Sequence, residues 1–268
     1  MDLRVITSNA SADFTSPPGV PSWNERREPY VELLRRTGAD VLSLQEVMPK
    51  QLRFLRAELP EYRVLVVNYI DALNGGPASS ELRDLAREEV SNPYEIALFY
   101  RGDRLKVVEC GHWWMSPTPD RPSTGFGNNW PRVVVWSRFR SRVGDVIVFA
   151  THIDHRCVGE MLDVCRPRFD SLSASGIPQI LAGDLNFNPE HDAYASLLSD
   201  GWCDAGESTA PEMSTFLYEM PNVPTGRIDH IFTRGSRLST REWSRLLPPP
   251  GDPPVSDHDP VLARVGLT

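Results

Sequence analysis

The sequence predicts an α/β protein that is built on mixed β-sheets. Short apolar runs with strand character alternate along the chain with segments whose apolar residues recur at helical spacing. Some neighbouring strand runs are close enough to form hairpins, whereas others are separated by a helical segment that suits a parallel crossover. This mixture favours helices packed on mixed sheets, and the pattern alone leaves three-layer and four-layer arrangements open.

The N-terminal part of the chain alternates between strand and helix patterns. A helix is predicted where apolar residues recur at helical spacing before a glycine, and a strand where β-branched and aromatic residues cluster. In chain order, the predicted elements are the strand LRVITSN, the helix REPYVELLRRTGA, the strand DVLSLQEV, the helix KQLRFLRAEL, and the strands YRVLVV, EIALFY and RLKVVEC. The polar, helix-prone stretch SSELRDLAREEV is inserted between YRVLVV and EIALFY.

A long loop is predicted in the middle of the chain, because the block WWMSPTPDRPSTGFGNNWP is too rich in Pro, Gly and Asn for regular structure. After it, the predicted elements are the strands PRVVVWSRF and GDVIVFAT, a helix over residues 156–175 that is broken near Pro167, the strand IPQILAGDL, a short helix around EHDAYASLL, and the strands RIDHIFTR and PVLARVG. The patch PPPGDPP is predicted to be a stiff loop, and no internal repeat is visible in the sequence.

Length and composition favour one domain over residues 1–268. A chain of 268 residues with 40% hydrophobic residues is long enough for a substantial core, and no shift in composition divides it. Its apolar runs are far shorter than the ~20 residues that span a bilayer. The first strand run begins at Leu3, which leaves no room for a leader. We therefore expect a cytoplasmic protein without a membrane segment or a signal peptide, although a mature secreted form with its leader already removed would have the same pattern.

Cysteine spacing and net charge narrow the functional classes. The four cysteines have no C-x-x-C spacing, which argues against a zinc site or a disulfide framework and favours buried free thiols. A formal net charge of -8 disfavours a protein that holds long nucleic acids by unspecific neutralisation of phosphates. A local basic cleft is still compatible with this charge.

Polar side chains occur where six of the predicted strands end or begin. They are Asn9, Glu46, His152, Asp154, Asp184, Asn186, Asp229, Asp257 and His258. Each has an ordinary structural interpretation: Asn9 suits a turn, Glu46 suits a helix N-terminus, and RIDH suits a surface ion pair. In α/β folds, however, the loops beyond one edge of the sheets gather into a cleft. Convergence of the whole set on one ligand is therefore the better hypothesis.

The chemistry of this set indicates a divalent cation and a phosphate ester. Carboxylates and amides are hard oxygen ligands that suit Mg²⁺ or Mn²⁺, whereas a zinc site would need more histidine or cysteine. Phosphoryl transfer also needs an oriented water and hydrogen-bond donors for the phosphoryl oxygens. An aspartate with an asparagine beside it can orient or deprotonate water. We assign Asp257 to the metal and His258 to the phosphate, with Asp229 as a carboxylate that fixes the tautomer of His258.

The predicted strand ends contain five short segments, in the order SLQEV, THIDH, GDLNFNP, RIDHIF and SDHDPV. In this order and at these separations, they resemble the signature segments of the endonuclease/exonuclease/phosphatase superfamily, which includes deoxyribonuclease I. The resemblance extends from residue 3 to about residue 266. The segments LFYRGDRLKVVECGHWWMSPTPDRP and PRVVVWSRF further resemble a small bacterial branch. The resemblance implies a four-layer α/β sandwich, in which two mixed sheets pack face to face with helices outside and the site lies at one end.

The resemblance also implies individual roles. Glu46 would be the principal metal ligand, with Asn9 and Asp257 close to the ion. Asp184 would orient or activate the attacking water, and Asn186 would bind the scissile phosphate. His152 and His258 would hydrogen-bond the phosphoryl oxygens, with Asp229 behind a histidine. Whether one metal or two act is left open. Further contacts to substrate are assigned to Arg132, Asp154 and His155.

Two departures limit this transfer of roles. After THIDHR, the helix contains Cys157, Cys165 and Pro167 where the family would have an unbroken helix that contains arginine, and this argues against a phosphate contact by Arg156. Arg132 is the better candidate for a phosphate contact, with a surface arginine as the ordinary alternative. Glu95 is either a local peculiarity or an extra acidic group near the cleft.

The substrate is not determined by the family, because one cleft of this type serves many phosphoesters. Of the two long loops, NYIDALNGGPASSELRDLAREE is acidic overall and SPTPDRPSTGFGNNW is nearly neutral. No arginine-rich run is present in the sequence. We therefore predict a Mg²⁺- or Mn²⁺-dependent phosphoesterase that acts as a monomer on a small phosphorylated metabolite, a nucleotide, or a sugar or lipid headgroup. The alternatives are a nuclease that acts on DNA or RNA and, more remotely, a catalytically inactive binding module.

Overall fold

Two six-stranded sheets form the centre of the molecule. The structure, a computed structural model, describes residues 1–13, 17–67, 95–128, 130–174, 176–207, 213–218 and 225–268. Sheet A contains β1 (Asp2–Asn9), β2 (Val41–Val47), β3 (Tyr62–Val66), β4 (Glu95–Arg101), β11 (Leu238–Arg245) and β12 (Val261–Leu267). Sheet B contains β5 (Lys106–Trp114), β6 (Val133–Ser141), β7 (Gly144–His152), β8 (Gln179–Asp184), β9 (Trp202–Asp204) and β10 (Asp229–Arg234). The described helices are α1 (Trp23–Arg35), α2 (Pro49–Glu58), α3 (Val158–Ser173) and α4 (Asp192–Ser199).

Both sheets are mixed. The strand order is β11-β12-β1-β2-β4-β3 in sheet A and β5-β6-β7-β8-β10-β9 in sheet B. Strands β1 and β2 are parallel and are connected through α1, and strands β7 and β8 are parallel and are connected through α3. Parallel neighbours need such a crossover, whereas the remaining described pairs are antiparallel. The carboxyl ends of both parallel pairs therefore carry Asn9, Glu46, His152 and Asp184.

The apolar side chains form three cores, which separate four layers. The central core lies between the sheets and includes Val5, Leu98, Val148 and Val261. A second core packs α1 and α2 against sheet A, and a third packs α3 and α4 against sheet B. Side chains alternate between these cores, as the two-residue period of a strand requires: in β8, Ile180 and Ala182 lie in the central core and Leu181 lies against α3 and α4. The predicted four-layer sandwich is confirmed.

Several predicted boundaries are wrong. Strand β5 extends through Trp113 and Trp114, which the sequence placed in the central loop; Trp114 lies in the central core and Trp113 in the core against α3. The prediction missed β9, which has only three residues, and β11, an edge strand whose residues are exposed or half-buried. An exposed edge strand has no buried face to produce an alternating apolar pattern. The predicted helix SSELRDLAREEV lies outside the described residues.

Helix α3 is continuous and is not broken at Pro167. A proline inside a helix removes one backbone donor and costs about 3 kcal/mol. Here Pro167 and Asp163 lie on the exposed face, where water can bond the freed carbonyl, while Met161, Cys165 and Phe169 bury the opposite face. Burial of that face offsets the cost of the proline.

Two other expectations are resolved by burial. Cys157 and Cys165 are buried free thiols, as expected, but Cys110 and Cys203 are exposed, and each lies in an edge strand of sheet B. Among the described helices, none combines the length and the hydrophobicity that crossing a bilayer requires.

Candidate active site

A cleft of about 320 Å³ opens at the edge of the sandwich where both parallel pairs end. Its lining includes predicted site residues from both sheets: Glu46, Arg132, His152, Asp154, His155, Asp184, Asn186, Asp257 and His258. Asn9 and Asp229, the other two predicted site residues, lie directly behind this lining and hydrogen-bond to it. All the predicted site residues are therefore brought together at one place.

A larger cavity of about 520 Å³ lies between α1 and the proline-rich segment before β12. Among the described residues, its lining is mostly proline and aliphatic, as at Pro29, Leu33 and Pro254, with charged side chains but no histidine or amide. It therefore lacks the combination of groups that distinguishes the cleft.

The acidic end of the cleft contains Glu46 and Asp257, and Asn9, at the end of β1 in sheet A, hydrogen-bonds from there to sheet B. The Nδ2 atom of Asn9 donates to Glu46 Oε1 at 3.2 Å and to Asp184 Oδ2 at 3.1 Å. The Ala12 amide donates to Glu46 Oε2 at 3.0 Å. Burial, and then the nearby negative charge of Asp257, raise the pKa of Glu46. Two carboxylates that repel each other in a buried site form a ready place for a divalent cation.

The residues present fit a hard cation at this end. Carboxylate and amide oxygens are the ligands that Mg²⁺ and Mn²⁺ prefer. A second group of possible ligand atoms, from Asp184, Asp229 and His258, lies within 4.8 Å of one another. In that group His258 Nδ1 is already bonded to Asp229 at 2.8 Å. The carboxylates of Glu46 and Asp257 are therefore the better candidate metal ligands.

Asp184 is the central carboxylate of the cleft. Its Oδ2 atom lies 3.4 Å from His152 Nε2 and 3.7 Å from His258 Nε2. Burial raises the pKa of Asp184 to about 7, although the charge of His258 opposes that shift. Burial, together with the charge of Arg132, lowers the pKa of His152 well below its usual value, so that this imidazole is neutral. One side of the cleft thus presents a carboxylate between two imidazoles.

His258 is held by Asp229. Burial alone would lower the pKa of His258, but the charges of Asp229 and Asp184 and the 2.8 Å bond to Asp229 raise it well above the usual value. Asp229 is itself fixed, because its amide donates to Thr215 Oγ1 at 3.1 Å. The Phe216 ring lies 4.9 Å from the His258 ring, and the two residues form a β-bridge. The sequence analysis missed Thr215 and Phe216, because the segment around them has no periodic pattern.

Two site residues have left-handed backbone angles, which only glycine adopts freely. Glu46 has φ of 56° and Asn186 has φ of 54°. Such conformations cost about 1–3 kcal/mol each and persist where the surroundings enforce them. At Asn186, the amide donates to Asp184 Oδ1 at 3.1 Å and Nδ2 donates to the Ile153 carbonyl at 2.9 Å. The turn after β8 therefore holds Asn186 beside Asp184.

The rim of the cleft is cationic and aromatic. Arg132 is only 9% exposed, so the alternative of a surface arginine is wrong. Arg156 donates from Nε and Nη2 to the two oxygens of Asp154 at 2.9 Å and 2.8 Å. Burial opposes ionisation of Asp154, yet these bonds and the charge of Arg132 lower its pKa to about 2. His155 and Trp130 also line this rim.

The argument against a phosphate contact by Arg156 is corrected by the same geometry. It depended on a break in α3, but α3 is continuous and Arg156 precedes it at the rim of the cleft. The side chain of Glu95 lies outside the described part of the chain, although its backbone begins β4.

A buried arginine, which the sequence analysis missed, supports the acidic end. Arg26 in α1 is 2% exposed, and its guanidinium donates to the carbonyls of Ala10, Ser11 and Val255 at 2.7, 2.5 and 3.0 Å. These carbonyls belong to the segments that follow Asn9 and precede Asp257. Arg26 therefore ties together two separate segments of the acidic end.

A comparison with protein-family models finds a match over most of the chain. The model of the Endonuclease/Exonuclease/phosphatase family matches residues 6–258. No curated protein sequence matches the chain.

Solved structures with the same fold span essentially the whole chain. The endonuclease/exonuclease/phosphatase of Bacteroides vulgatus is 23% identical, with a TM-score of 0.81 and coverage of 100% of both chains. A mannosyl-6-phosphatase of Bacteroides thetaiotaomicron is 24% identical, with a TM-score of 0.78 and coverage of 98% of this chain and 99% of that one. The human Nocturnin catalytic domain with bound sulfate is 20% identical, with a TM-score of 0.77 and coverage of 100% and 94%. At these identities, the likeness establishes the fold.

Proposed function

This chain belongs to the endonuclease/exonuclease/phosphatase family and is a hydrolase of ester bonds, and on that premise we propose a divalent-metal-dependent phosphoesterase that acts on a small phosphorylated metabolite. The observation that carries the proposal is the pair of bonds from Asn9 Nδ2, to Glu46 of sheet A and to Asp184 of sheet B. These bonds join a candidate metal site and a candidate catalytic base in one cleft. Attack by an activated water needs both in one place.

Glu46 and Asp257 would hold the cation, with Asn9 close by. Both carboxylates line the cleft, and the charge of Asp257 acts on Glu46. Mg²⁺ or Mn²⁺ would neutralise charge on the phosphoryl oxygens and help the leaving oxygen. Arg26 keeps the two segments that carry Asn9 and Asp257 together.

Asp184 would orient and deprotonate the attacking water, since its carboxylate faces the cleft between two imidazoles. His152 and His258 would hydrogen-bond the phosphoryl oxygens through Nε2, and Asn186 would bind the scissile phosphate. The Asp229 carboxylate accepts from His258 Nδ1, which directs Nε2 into the cleft and stabilises the imidazolium. From that position, His258 can protonate the leaving oxygen.

A compact substrate suits the cleft. Its volume of about 320 Å³ is at the lower end of small-molecule sites, and its rim combines Arg132, His155 and Arg156 with Trp130. These groups can contact a phosphate and a sugar or base ring. The net charge of -8 disfavours tight binding of long nucleic acids. The mannosyl-6-phosphatase of the same fold makes a phosphorylated sugar the first substrate class to test.

A substrate panel tests the proposal. Hexose phosphates, nucleoside monophosphates, glycerophosphodiesters, oligonucleotides and plasmid should be incubated with Mg²⁺, Mn²⁺ or EDTA. We expect phosphate release from a small monoester or cleavage of a small diester, dependent on metal and abolished by EDTA. Preferential cleavage of oligonucleotide or plasmid would replace the small-molecule proposal with a nuclease, and no turnover of any ester would leave a binding module. Tight, salt-sensitive plasmid binding by Glu46→Gln would also contradict a small substrate.

A further inference from the structure

A buried polar cluster lies behind the cleft, on the side of sheet B that faces α4. Arg227 and His230 are 2% and 0% exposed, so the interpretation of RIDH as a surface ion pair is wrong. Arg227 Nη1 donates to Asp204 Oδ2 at 2.5 Å and approaches His230 Nδ1 at 3.1 Å. Tyr194 of α4 donates its hydroxyl to the same Asp204 oxygen at 3.0 Å. None of these residues lines the cleft.

The donor chemistry of arginine fixes the state of His230. A guanidinium has only donors, so His230 Nδ1 must accept the hydrogen bond from Arg227. The Phe187 carbonyl can only accept, so His230 Nε2, which lies 2.9 Å from it, carries a proton and donates to it. Arg227 thereby sets the tautomer in which His230 donates to Phe187.

Phe187 directly follows Asn186, which has the left-handed backbone described above. The Phe187 ring is fully buried and stacks on the His230 ring, with 5.3 Å between centroids and 23° between planes. On the other side of Asn186, the Leu185 amide donates to the Ile228 carbonyl at 2.9 Å. The strained turn is thus held on both sides by the segment that carries Arg227, Asp229 and His230.

We propose that Arg227 and His230 are positioning residues that hold Asn186 in its strained turn through the Phe187 carbonyl. Neither residue would touch substrate. Asp204 holds Arg227 in place by accepting from its Nη1 atom. The Tyr194 hydroxyl donates only to Asp204 and is not needed for this contact. The kinetic consequence rests on the proposed function, because it assumes that Asn186 binds the scissile phosphate.

Two substitutions of His230 separate its two hydrogen bonds. Glutamine places its amide nitrogen near the position of Nε2 and can still donate to the Phe187 carbonyl. Asparagine places its polar atoms near Nδ1 and can accept from Arg227, but it does not reach Phe187. Both substitutions remove the ring stack, so both should lower Tm by similar amounts.

The expected kinetic results differ. His230→Asn should lose roughly 10-fold to 100-fold in kcat, because a displacement of about 1 Å at a phosphate-binding group has that effect. His230→Gln should stay within about threefold of wild type. Tyr194→Phe is the matched control: it removes one bond of the same buried cluster, lowers Tm and leaves kcat unchanged. Equal kcat losses in the two His230 variants, or kcat values that follow Tm in all three variants, would overturn the proposal.

A structural readout keeps this test separate from the proposed reaction. If the wild-type protein hydrolyses nothing in the substrate panel, the proposed function fails but the positioning can still be judged. A crystal structure of His230→Asn in which Asn186 leaves the left-handed region would support the positioning role. Retention of φ near 54° in that variant would contradict it.

Discussion

The molecule has two halves, each made of one sheet and its two described helices, and the two halves have the same order of strands across the sheet. In sheet A, the hairpin β11–β12 is followed across the sheet by the parallel pair β1–β2 and then by β4 and β3; in sheet B, the hairpin β5–β6 is followed by β7–β8, β10 and β9. In each half, a helix connects the parallel strands and a second helix follows them. The sequence shows no repeat, so the similarity lies in the backbone alone.

Equivalent positions in the two halves carry different chemistry. Strand β1 ends at Asn9 and β7 at His152, while Glu46 lies near the end of β2 and Asp184 ends β8. The antiparallel hairpins add Asp257 and His258 before β12, and Arg132 before β6. Sheet A thus contributes the acidic end, and sheet B contributes the central carboxylate and the cationic rim. A shared order of strands brings the strand ends together, but the side chains at those ends decide the chemistry.

The largest expected loss of activity concerns Asp184, which ends β8 in sheet B, and His258, which lies beside it. Asp184→Ala or His258→Ala should lower kcat by about 10²–10⁴-fold, because each removes a proposed proton-transfer group. Added Mg²⁺ should not restore activity to either variant. Turnover and Tm should be measured together. Near-full turnover on the true substrate in either variant would show that the roles are assigned wrongly.

The sheet A half should respond differently. Glu46→Gln removes one ligand charge, and we expect the Mg²⁺ concentration for half-maximal activity to rise by about 10-fold to 100-fold. Activity should recover in part at high Mg²⁺, in contrast to the Asp184 and His258 variants. Calorimetric titration with Mg²⁺ provides the same comparison without substrate. Unchanged Mg²⁺ affinity would place the cation elsewhere, for instance at Asp184 and Asp229.

A hydrogen bond between the two sheets is expected to have a smaller effect, which concerns stability. Ser43 of β2 donates its hydroxyl to the Ala182 carbonyl of β8 at 2.8 Å and accepts from Gln45 Nε2 at 2.9 Å. Ser43→Ala should cost about 1–3 kcal/mol, since it leaves buried partners without their hydrogen bonds. Ser199→Ala is the control: the Ser199 hydroxyl bonds the Ala195 carbonyl on an exposed helix end, so the expected change is below about 0.5 kcal/mol. Urea denaturation of both variants measures the difference.

The sequence predicted the site better than it predicted the support behind the site. Asn9, Glu46, His152 and Asp184 could be found because each interrupts a local apolar run at a strand end. Arg227 could not be paired with Asp204 in advance, because the two residues are 23 positions apart and meet only once β9 and β10 are side by side. The same holds for Arg26, which joins carbonyls from two distant segments. Local pattern reveals the strand ends, whereas long-range hydrogen bonds depend on the assembled fold.

The smallest expected effect concerns two ion pairs of equal geometry, one in each half. Arg156 holds Asp154 at 2.9 and 2.8 Å at the rim of the cleft, and Arg101 holds Asp103 at 2.9 and 2.8 Å on the surface beyond β4. Asp154 is buried and Asp103 is exposed. The pKa of Asp154, about 2 in the folded protein, lies below the ordinary value of about 3.9. This pair therefore stabilises the fold above about pH 4, and its contribution is lost as the pH falls towards 2.

Arg156→Gln should consequently lower Tm at pH 7 and have a diminishing effect below pH 4. Screening at the partly exposed Arg156 reduces the expected loss to about 1 kcal/mol, which corresponds to roughly 2–4 °C for a chain of this size. Arg101→Gln should change Tm little at any pH, because solvent already screens Asp103. Thermal melts from pH 2 to pH 7 provide the test. If both variants behaved alike at pH 7, burial at the cleft rim would not strengthen the Asp154 ion pair, and Asp154 would need no arginine partner to remain ionised there.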